Sequence, residues 1–113
     1  MIYEPFDVIV VPFPFTDSAG TKRRPALVLS QRHGFGVEIE QTVLAMITSK
    51  KNKPWPLDTI IKDKKQSGLK ASSVVRMKLF TLDNRFILKK IEQLSTPDQN
   101  RVKQNLLKLF NYL

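Results

Sequence analysis

Short apolar runs separated by turn residues dominate the chain up to Leu94. Runs rich in β-branched and aromatic residues indicate strands. Strands are therefore predicted at residues 7–15, 25–30, 39–47, 59–61, 73–76 and 86–94. Pro12 and Pro14 cannot donate to a sheet ladder, so the first strand is expected to leave the sheet near Pro12. Several short strands at close spacing favour a mainly β fold, either a compact sandwich or a small barrel.

The last part of the chain changes to helical spacing. Thr96-Pro97-Asp98-Gln99 has the pattern of a helix start, with a capping threonine, a proline at the first helical position and an acid near the positive end of the helix dipole. This pattern predicts one C-terminal helix. Its apolar stripe, which is expected to lie on the barrel, consists of Val102, Leu106, Leu109 and Leu113.

Length and composition narrow the class of protein. A chain of 113 residues can bury one modest core, so a single domain over residues 1–113 is expected. The N-terminus has no basic leader, and no apolar run approaches the ~20 residues of a membrane span, so we expect an intracellular protein without a membrane segment. The absence of cysteine from the sequence excludes a disulfide framework and a thiolate nucleophile.

The charge of the chain indicates a polyanionic partner. The formal net charge is +9, and residues 50–78 carry nine lysine or arginine residues against two acids. Such a cluster favours nucleic acid. Trp55 lies between two prolines in this basic region, where an aromatic face can stack an unpaired base while the cations follow the backbone. An ordinary solvated lysine surface, with Trp55 anchoring its loop, is the alternative interpretation.

Most cofactor-dependent chemistry finds no support in the sequence. His33 is the only histidine, it lies beside Gly34 in an expected turn, and no carboxylates are grouped at ligand spacing, so neither a metal nor a cofactor is expected. RNA cleavage by the adjacent 2′-hydroxyl needs no cofactor, but it needs a base, an acid and donors for the phosphorane charge. Arg24, held before Pro25, suits the donor role, and a surface salt bridge explains it equally well.

Four segments carry a resemblance to a known family. They are D-V-I-V-V-P-F at residues 7–13, R-P-A-L-V-L-S at 24–30, I-T-S at 47–49 and S-V-V-R at 73–76. In this order and at these separations they resemble the MazF/PemK family of toxin–antitoxin endoribonucleases. The resemblance implies an SH3-like barrel of the CcdB–PemK type with a C-terminal α-helix. It also implies a cytoplasmic homodimer that cleaves single-stranded RNA without metal and is neutralised by a small acidic antitoxin protein.

The same resemblance assigns roles to individual residues. Arg24 matches the arginine before proline in the active loop, Thr48 the phosphate-holding threonine, and Arg76 a catalytic or phosphate-binding arginine. The family's acidic positions fall on Ala19 and Lys78, so the general base stays open. Asp17 is the nearest carboxylate and is either that base or the former of an Asx turn. The expected RNA-binding residues are Lys22, Arg23, Ser49, Lys50, Lys51, Lys53, Trp55 and Lys78, with a mobile loop over residues 16–23 that ends at Arg24.

Two other functions stay open. A family member without its carboxylates would bind RNA or an antitoxin through the same groove without cleaving. A topoisomerase poison of the CcdB type would act through the C-terminal helix, which leaves Arg24, Thr48 and Arg76 unexplained. EDTA-resistant cleavage of labelled RNA separates the first function from these two.

Overall fold

The computed structural model describes residues 3–13 and 22–112, with the side chain of Phe13 left aside. Within these ranges one antiparallel sheet contains six strands in the order β4-β5-β3-β2-β1-β6, and the sheet is curled into a half-barrel. The strands are β1 (Asp7–Phe13), β2 (Lys22–Val28), β3 (Gln41–Ser49), β4 (Thr59–Ile60), β5 (Ser73–Asp83) and β6 (Lys89–Gln93). The helices are α1 (Lys64–Ser67) and α2 (Thr96–Leu109). The predicted β-rich barrel type with a C-terminal helix is confirmed.

Alternating side chains divide the core between the two faces of the sheet. The helix face packs against Leu94 and against Val102 of α2, and its strand residues are Val8, Leu27, Ala45, Ile47 and Val75. The opposite side, which we call the far face, carries Ile9, Val11, Ala26, Val28, Leu44 and Met46. Tyr3 and Ile87 pack against the far face. Any strand residue can therefore be placed on one face by its register with these positions.

The first strand is paired as far as Phe13, one residue after Pro12, near which the sequence had predicted that it leaves the sheet; residues 14 and 15 of the predicted strand lie outside the described residues. Pro12 faces Arg23 in the β1–β2 ladder, and the next pair continues it to Phe13. On the other side, the pairing of β1 with β6 ends at Val10. Pro12 thus has one neighbouring strand, and this is the edge-like position in which a sheet tolerates proline.

The second strand begins earlier than predicted. It starts at Lys22 and not at Pro25, so Lys22 and Arg23 belong to β2 and not to a mobile loop. The remaining loop residues 16–21 lie outside the described part of the chain. The expectation that a mobile loop continues up to Arg24 is therefore wrong for Lys22 and Arg23, because both are paired with β1.

The fifth strand is much longer than the predicted segment 73–76. Arg76 faces Met46, but Leu79 faces Ala45, so two additional residues of β5, Met77 and Lys78, form a bulge. The alternation of faces continues through this bulge, because Met77 and Leu79 pack on the helix face and Phe80 and Leu82 on the far face. The charged residues Arg76 and Lys78 interrupt the apolar run, and this is why the pattern seemed to end at Arg76.

Smaller differences affect the ends of other elements. A turn at Asn84–Phe86, capped by the Asp83 carboxylate, delays β6 to Lys89. The short helix α1 was not predicted; the Asp63 side chain caps its start, and Gly68 ends it at φ 75°. Glycine accepts this left-handed conformation without the steric cost that a Cβ atom brings.

The C-terminal helix is confirmed, with a shifted cap and a narrower stripe. Ser95, one residue before the predicted cap, accepts the backbone N–H of Asp98 at 3.3 Å. Val102 is buried and Leu106 packs beside it, but Leu109 is 39% exposed. Leu113 lies outside the described residues. Neither helix in the described ranges is long and apolar enough to cross a membrane.

Candidate nucleic-acid interface

Arg24 and Thr48 lie on the same face of the sheet. Ala26 and Met46 are paired across β2 and β3 on the far face. Arg24 lies two residues before Ala26 in β2, and Thr48 lies two residues after Met46 in β3. The β2–β3 ladder ends at Ala26 and Met46, so Arg24 and Thr48 lie just beyond its last pair, at the same end of the two strands. The fold therefore brings together the two residues that the resemblance had placed at the phosphate, although 23 positions of sequence separate them.

The guanidinium of Arg24 is available to a ligand. Arg24 is partly buried, and across residues 3–13 and 22–112 it makes no side-chain hydrogen bond or ion pair. Its backbone is held by β1, because Arg24 faces Val11 in the ladder and the next residue, Pro25, faces Val10. A planar cation on a fixed backbone, with its donors unused, is suited to bind two oxygens of a phosphate.

Thr48 retains a hydroxyl proton that it can donate. Its Oγ1 accepts a hydrogen bond from Nδ2 of Asn52 at 2.6 Å. Since a threonine hydroxyl both accepts and donates, this contact leaves the O–H free for an anion. A second hydrogen bond stabilises the turn that follows β3: Oγ of Ser49 accepts the backbone N–H of Lys51 at 3.2 Å. Sequence reasoning missed Asn52, because a lone amide in a basic loop gives no signal before its partner is known.

Arg76 also lies on the far face, since it faces Met46 in the β3–β5 ladder. Arg76 is 8% exposed, and its guanidinium forms an ion pair with Asp58. Nε donates to Oδ1 of Asp58 at 3.1 Å, and Nη2 donates to Oδ2 at 3.0 Å and to the backbone oxygen of Lys53 at 2.8 Å. The Trp55 ring stacks on the guanidinium, with Cζ 4.9 Å from the ring centroid.

Asp58 is a second residue that sequence reasoning missed. Its Oδ2 also accepts the backbone N–H of Trp55, at 2.9 Å. Burial raises the pKa of Asp58, but the hydrogen bonds from Arg76 and from the Trp55 backbone, together with the Arg76 charge, leave it below the usual 3.8. The carboxylate is therefore charged at neutral pH. Its distance in sequence from Arg76 hid the pair, because only the register of β4 with β5 brings them together.

Exposed cations surround these residues. None of the predicted RNA-binding cations forms an ion pair within the described ranges: Lys22, Arg23, Lys50, Lys51, Lys53 and Lys78. Lys22 shares the far face with Arg24, since it lies two residues before it, whereas Arg23 points to the other face by strand alternation. The bulge in β5 carries Lys78 two residues after Arg76. Trp55 is 44% exposed, so one part of its ring reaches solvent.

Some of the predicted residues cannot be placed in this site. Asp17 and Ala19 lie outside the described residues, so the base that the sequence left open is not located. His33 is an exposed turn residue, as expected. The part of the chain that the structure describes holds no group of three or more His, Cys, Asp or Glu side chains that could bind a metal ion.

The fold and this arrangement define a small basic β domain whose far face carries Arg24, Thr48 and Arg76. The chain belongs to the PemK-like, MazF-like toxin family of type II toxin–antitoxin systems, whose profile matches residues 4–110. The family that the sequence motifs had indicated is thereby confirmed. None of the curated proteins matches the chain.

Solved structures with the same fold include several toxins. A MazE–MazF structure from Deinococcus radiodurans is 21% identical, with a TM-score of 0.78 over 98% of this chain and 98% of that chain. Toxin MazF-mt6 from Mycobacterium tuberculosis is 17% identical, with a TM-score of 0.73 over 93% of this chain and 96% of that chain. A mycobacterial endoribonuclease in complex with its cognate antitoxin is 13% identical, with a TM-score of 0.74 over 97% and 94% of the two chains.

Proposed function

We propose that this protein is a toxin that cleaves single-stranded RNA without a metal ion, and that it acts in the cytoplasm. The observation that carries the proposal is the shared position of Arg24 and Thr48 on the far face, with exposed cations beside them that form no ion pair with any described residue. The family assignment supports it, and so does the description of a mycobacterial protein of the same fold as an endoribonuclease. We treat residues 1–113 as one toxin domain.

The proposed reaction is a transesterification within the RNA. The 2′-oxygen attacks the adjacent phosphorus, the bond to the 5′-oxygen breaks, and the products carry a 2′,3′-cyclic phosphate and a 5′-hydroxyl. A base removes the 2′-proton and an acid supplies a proton to the leaving oxygen. Arg24 and Thr48 donate to the non-bridging oxygens, where negative charge increases in the transition state. Asp17 is our candidate for the base, because it is the nearest carboxylate in the loop before Arg24.

The proposed partners follow from charge and family. A net charge of +9 suits both RNA and a small acidic antitoxin protein. Structures of the same fold contain MazE with MazF, or an endoribonuclease with its cognate antitoxin. We propose that this toxin likewise forms a homodimer and is neutralised by an acidic antitoxin.

Cleavage of end-labelled single-stranded RNA tests the proposal. The purified protein should give products with 5′-hydroxyl ends in the presence of EDTA, and Arg24→Ala should lose at least about 100-fold in rate, as the removal of one oxyanion donor does. Arg85→Ala is the matched control, because it removes one exposed arginine from the turn after β5. Equal cleavage by Arg24→Ala and wild type would remove Arg24 from the mechanism.

A non-catalytic binding module is the second candidate. Two observations favour it: Lys78 stands at a position where the family carries a carboxylate, and the charge of Arg76 is already paired with Asp58. A module of this kind would shift labelled RNA in a native gel and leave it intact. Cleavage that depends on Arg24 rejects this candidate.

A further inference from the structure

Asp58 lies on the far face beside the proposed phosphate site, and the motifs that indicate the function give it no role. Thr59 faces Val75 in the β4–β5 ladder, so the position before Thr59 falls opposite Arg76. The side chain of Asp58 is 13% exposed, and that of Arg76 is 10% exposed. The Asp58 carboxylate and the Arg76 guanidinium thus lie opposite each other. Thr48 is close to them, because it faces Val74, two residues before Arg76 in β5.

We propose that Asp58 is a positioning residue for RNA cleavage: it grips one edge of Arg76 and leaves the Nη1 amino group of Arg76 to bind the scissile phosphate beside Thr48. This inference rests on the proposed function. It deepens that function by naming the group that orients the second arginine of the site.

The hydrogen bonds of Arg76 determine which of its donors remain. A guanidinium has five N–H donors. Asp58 takes the one on Nε and one on Nη2, and the backbone oxygen of Lys53 takes the other on Nη2. Nη1 of Arg76 has no hydrogen-bond partner among the described residues. Since every fully buried side-chain nitrogen of these residues has a partner, Nη1 is not fully buried. The two protons of Nη1 are therefore the donors that an added anion can use.

The surroundings of Arg76 prevent its guanidinium from turning. Asp58 holds one edge, and the Trp55 ring covers one plane at 4.9 Å from Cζ to centroid. The carboxylate is itself fixed by the backbone N–H of Trp55. A donor held in this way needs no reorganisation when the phosphorane charge develops.

Asp58 is suited to orient Arg76 and not to remove a proton. Both of its oxygens accept hydrogen bonds, and Oδ2 accepts two. The pKa of Asp58 lies below its usual range because of these bonds and the Arg76 charge, although burial alone raises it. A base with such a low proton affinity would be weak at neutral pH. The carboxylate reaches Arg76 from the position directly before β4.

Steady-state cleavage of a single-stranded RNA by Asp58→Asn provides the first test. We expect kcat to fall by about 10- to 100-fold, the cost of a misplaced catalytic group, while KM changes by less than about twofold because the lysine cluster still binds RNA. Asp63→Asn is the matched control, since it changes an exposed acid of the same basic segment whose carboxylate caps α1. Thermal unfolding of both variants reports whether they fold.

Chemical rescue provides a second test that does not depend on the stability of Asp58→Asn. Millimolar methylguanidinium should restore cleavage by Arg76→Ala, because Asp58 and the Lys53 carbonyl bind the added cation. Rescue should fail in the double variant Arg76→Ala/Asp58→Asn, because it lacks the carboxylate that binds the added cation. This variant should fold, because it leaves no buried charge without a partner. Rescue of both variants, or a kcat of Asp58→Asn equal to wild type, would overturn the inference while the proposed function stands. Absence of cleavage by the wild-type protein would overturn both.

Discussion

Arg24 on β2 and Thr48 on β3 occupy neighbouring positions on the far face of the sheet, two residues beyond the paired Ala26 and Met46. The register of β2 with β3 places the two residues at the same end of these strands, and Arg24 is itself paired with Val11 of β1. The buried residues Val11 and Ala26 hold the strands on which the two polar side chains stand. An apolar sheet thus supports a cation and a hydroxyl at the spacing of adjacent strands.

The hydroxyl of Thr48 gives the first prediction. Thr48→Val keeps the branched shape and removes the donor, so RNA cleavage should fall by about 10- to 100-fold at unchanged stability, the cost of an incomplete set of phosphate donors. Initial rates with labelled RNA measure the effect. Thr48→Ser retains the hydroxyl and should stay within about threefold of wild type, because the donor is kept. A valine variant as active as the serine variant would show that the hydroxyl does not bind the phosphate.

The exposed lysines give the second prediction, which concerns salt dependence. Each cation that neutralises a phosphate of a single strand contributes about 0.7 to the slope of log affinity against log salt. Lys51→Ala with Lys53→Ala should therefore lower the slope by about 1.4, as measured by fluorescence anisotropy with an inactive Arg24→Ala background. The control pair, Lys64→Ala with Lys65→Ala on α1, removes the same charge elsewhere. Equal slopes for the two pairs would mean that the loop after β3 does not contact the RNA backbone.

Much of the fold could be predicted from the sequence because its signals are local. Apolar alternation located the centres of β1, β2 and β3, and the proline and acid after Ser95 located α2 within one residue. The strand ends were less predictable. Lys22 and Arg23 look like loop residues, but pairing with β1 makes them strand. In β5, the charged residues Arg76 and Lys78 interrupt the apolar run from which that strand was predicted.

The residues of the site that belong to the family motifs could be predicted from the sequence. These are Arg24, Thr48 and Arg76, and the strand register places all three on the far face. The contacts of Asp58 and Asn52 were not predictable, since both depend on where a loop folds back on the sheet. An acid or an amide in a lysine-rich loop has no periodicity, so its partner appears only in three dimensions.

The third prediction concerns stability in acid. The folded-state pKa of Asp58 is lowered from 3.8, so its contribution to stability is present above that pH and is lost as pH falls through the lower folded value. The free energy of unfolding of wild type should therefore exceed that of Asp58→Asn at pH 7, and the difference should shrink in the acid range below about pH 4. Urea unfolding at several pH values measures this. A difference that stays constant with pH would show that the Asp58 carboxylate is not stabilised by its partners.

The fourth prediction concerns Asp98, which fastens the end of β4 to α2. Its carboxylate is 1% exposed and accepts the backbone N–H groups of Lys62 at 3.1 Å and Asp63 at 3.0 Å, beside an ion pair with Arg101. Asp98→Ala leaves these two N–H groups and Arg101 without their buried partner, so the free energy of unfolding should fall by about 3 kcal/mol in urea denaturation. Asp63→Ala removes only the exposed cap of α1 and should lose about 1 kcal/mol. Equal losses in the two variants would contradict the anchoring role. Because Asp58 directly precedes β4, a weakened anchor should also lower cleavage at temperatures where the Asp98 variant is still folded.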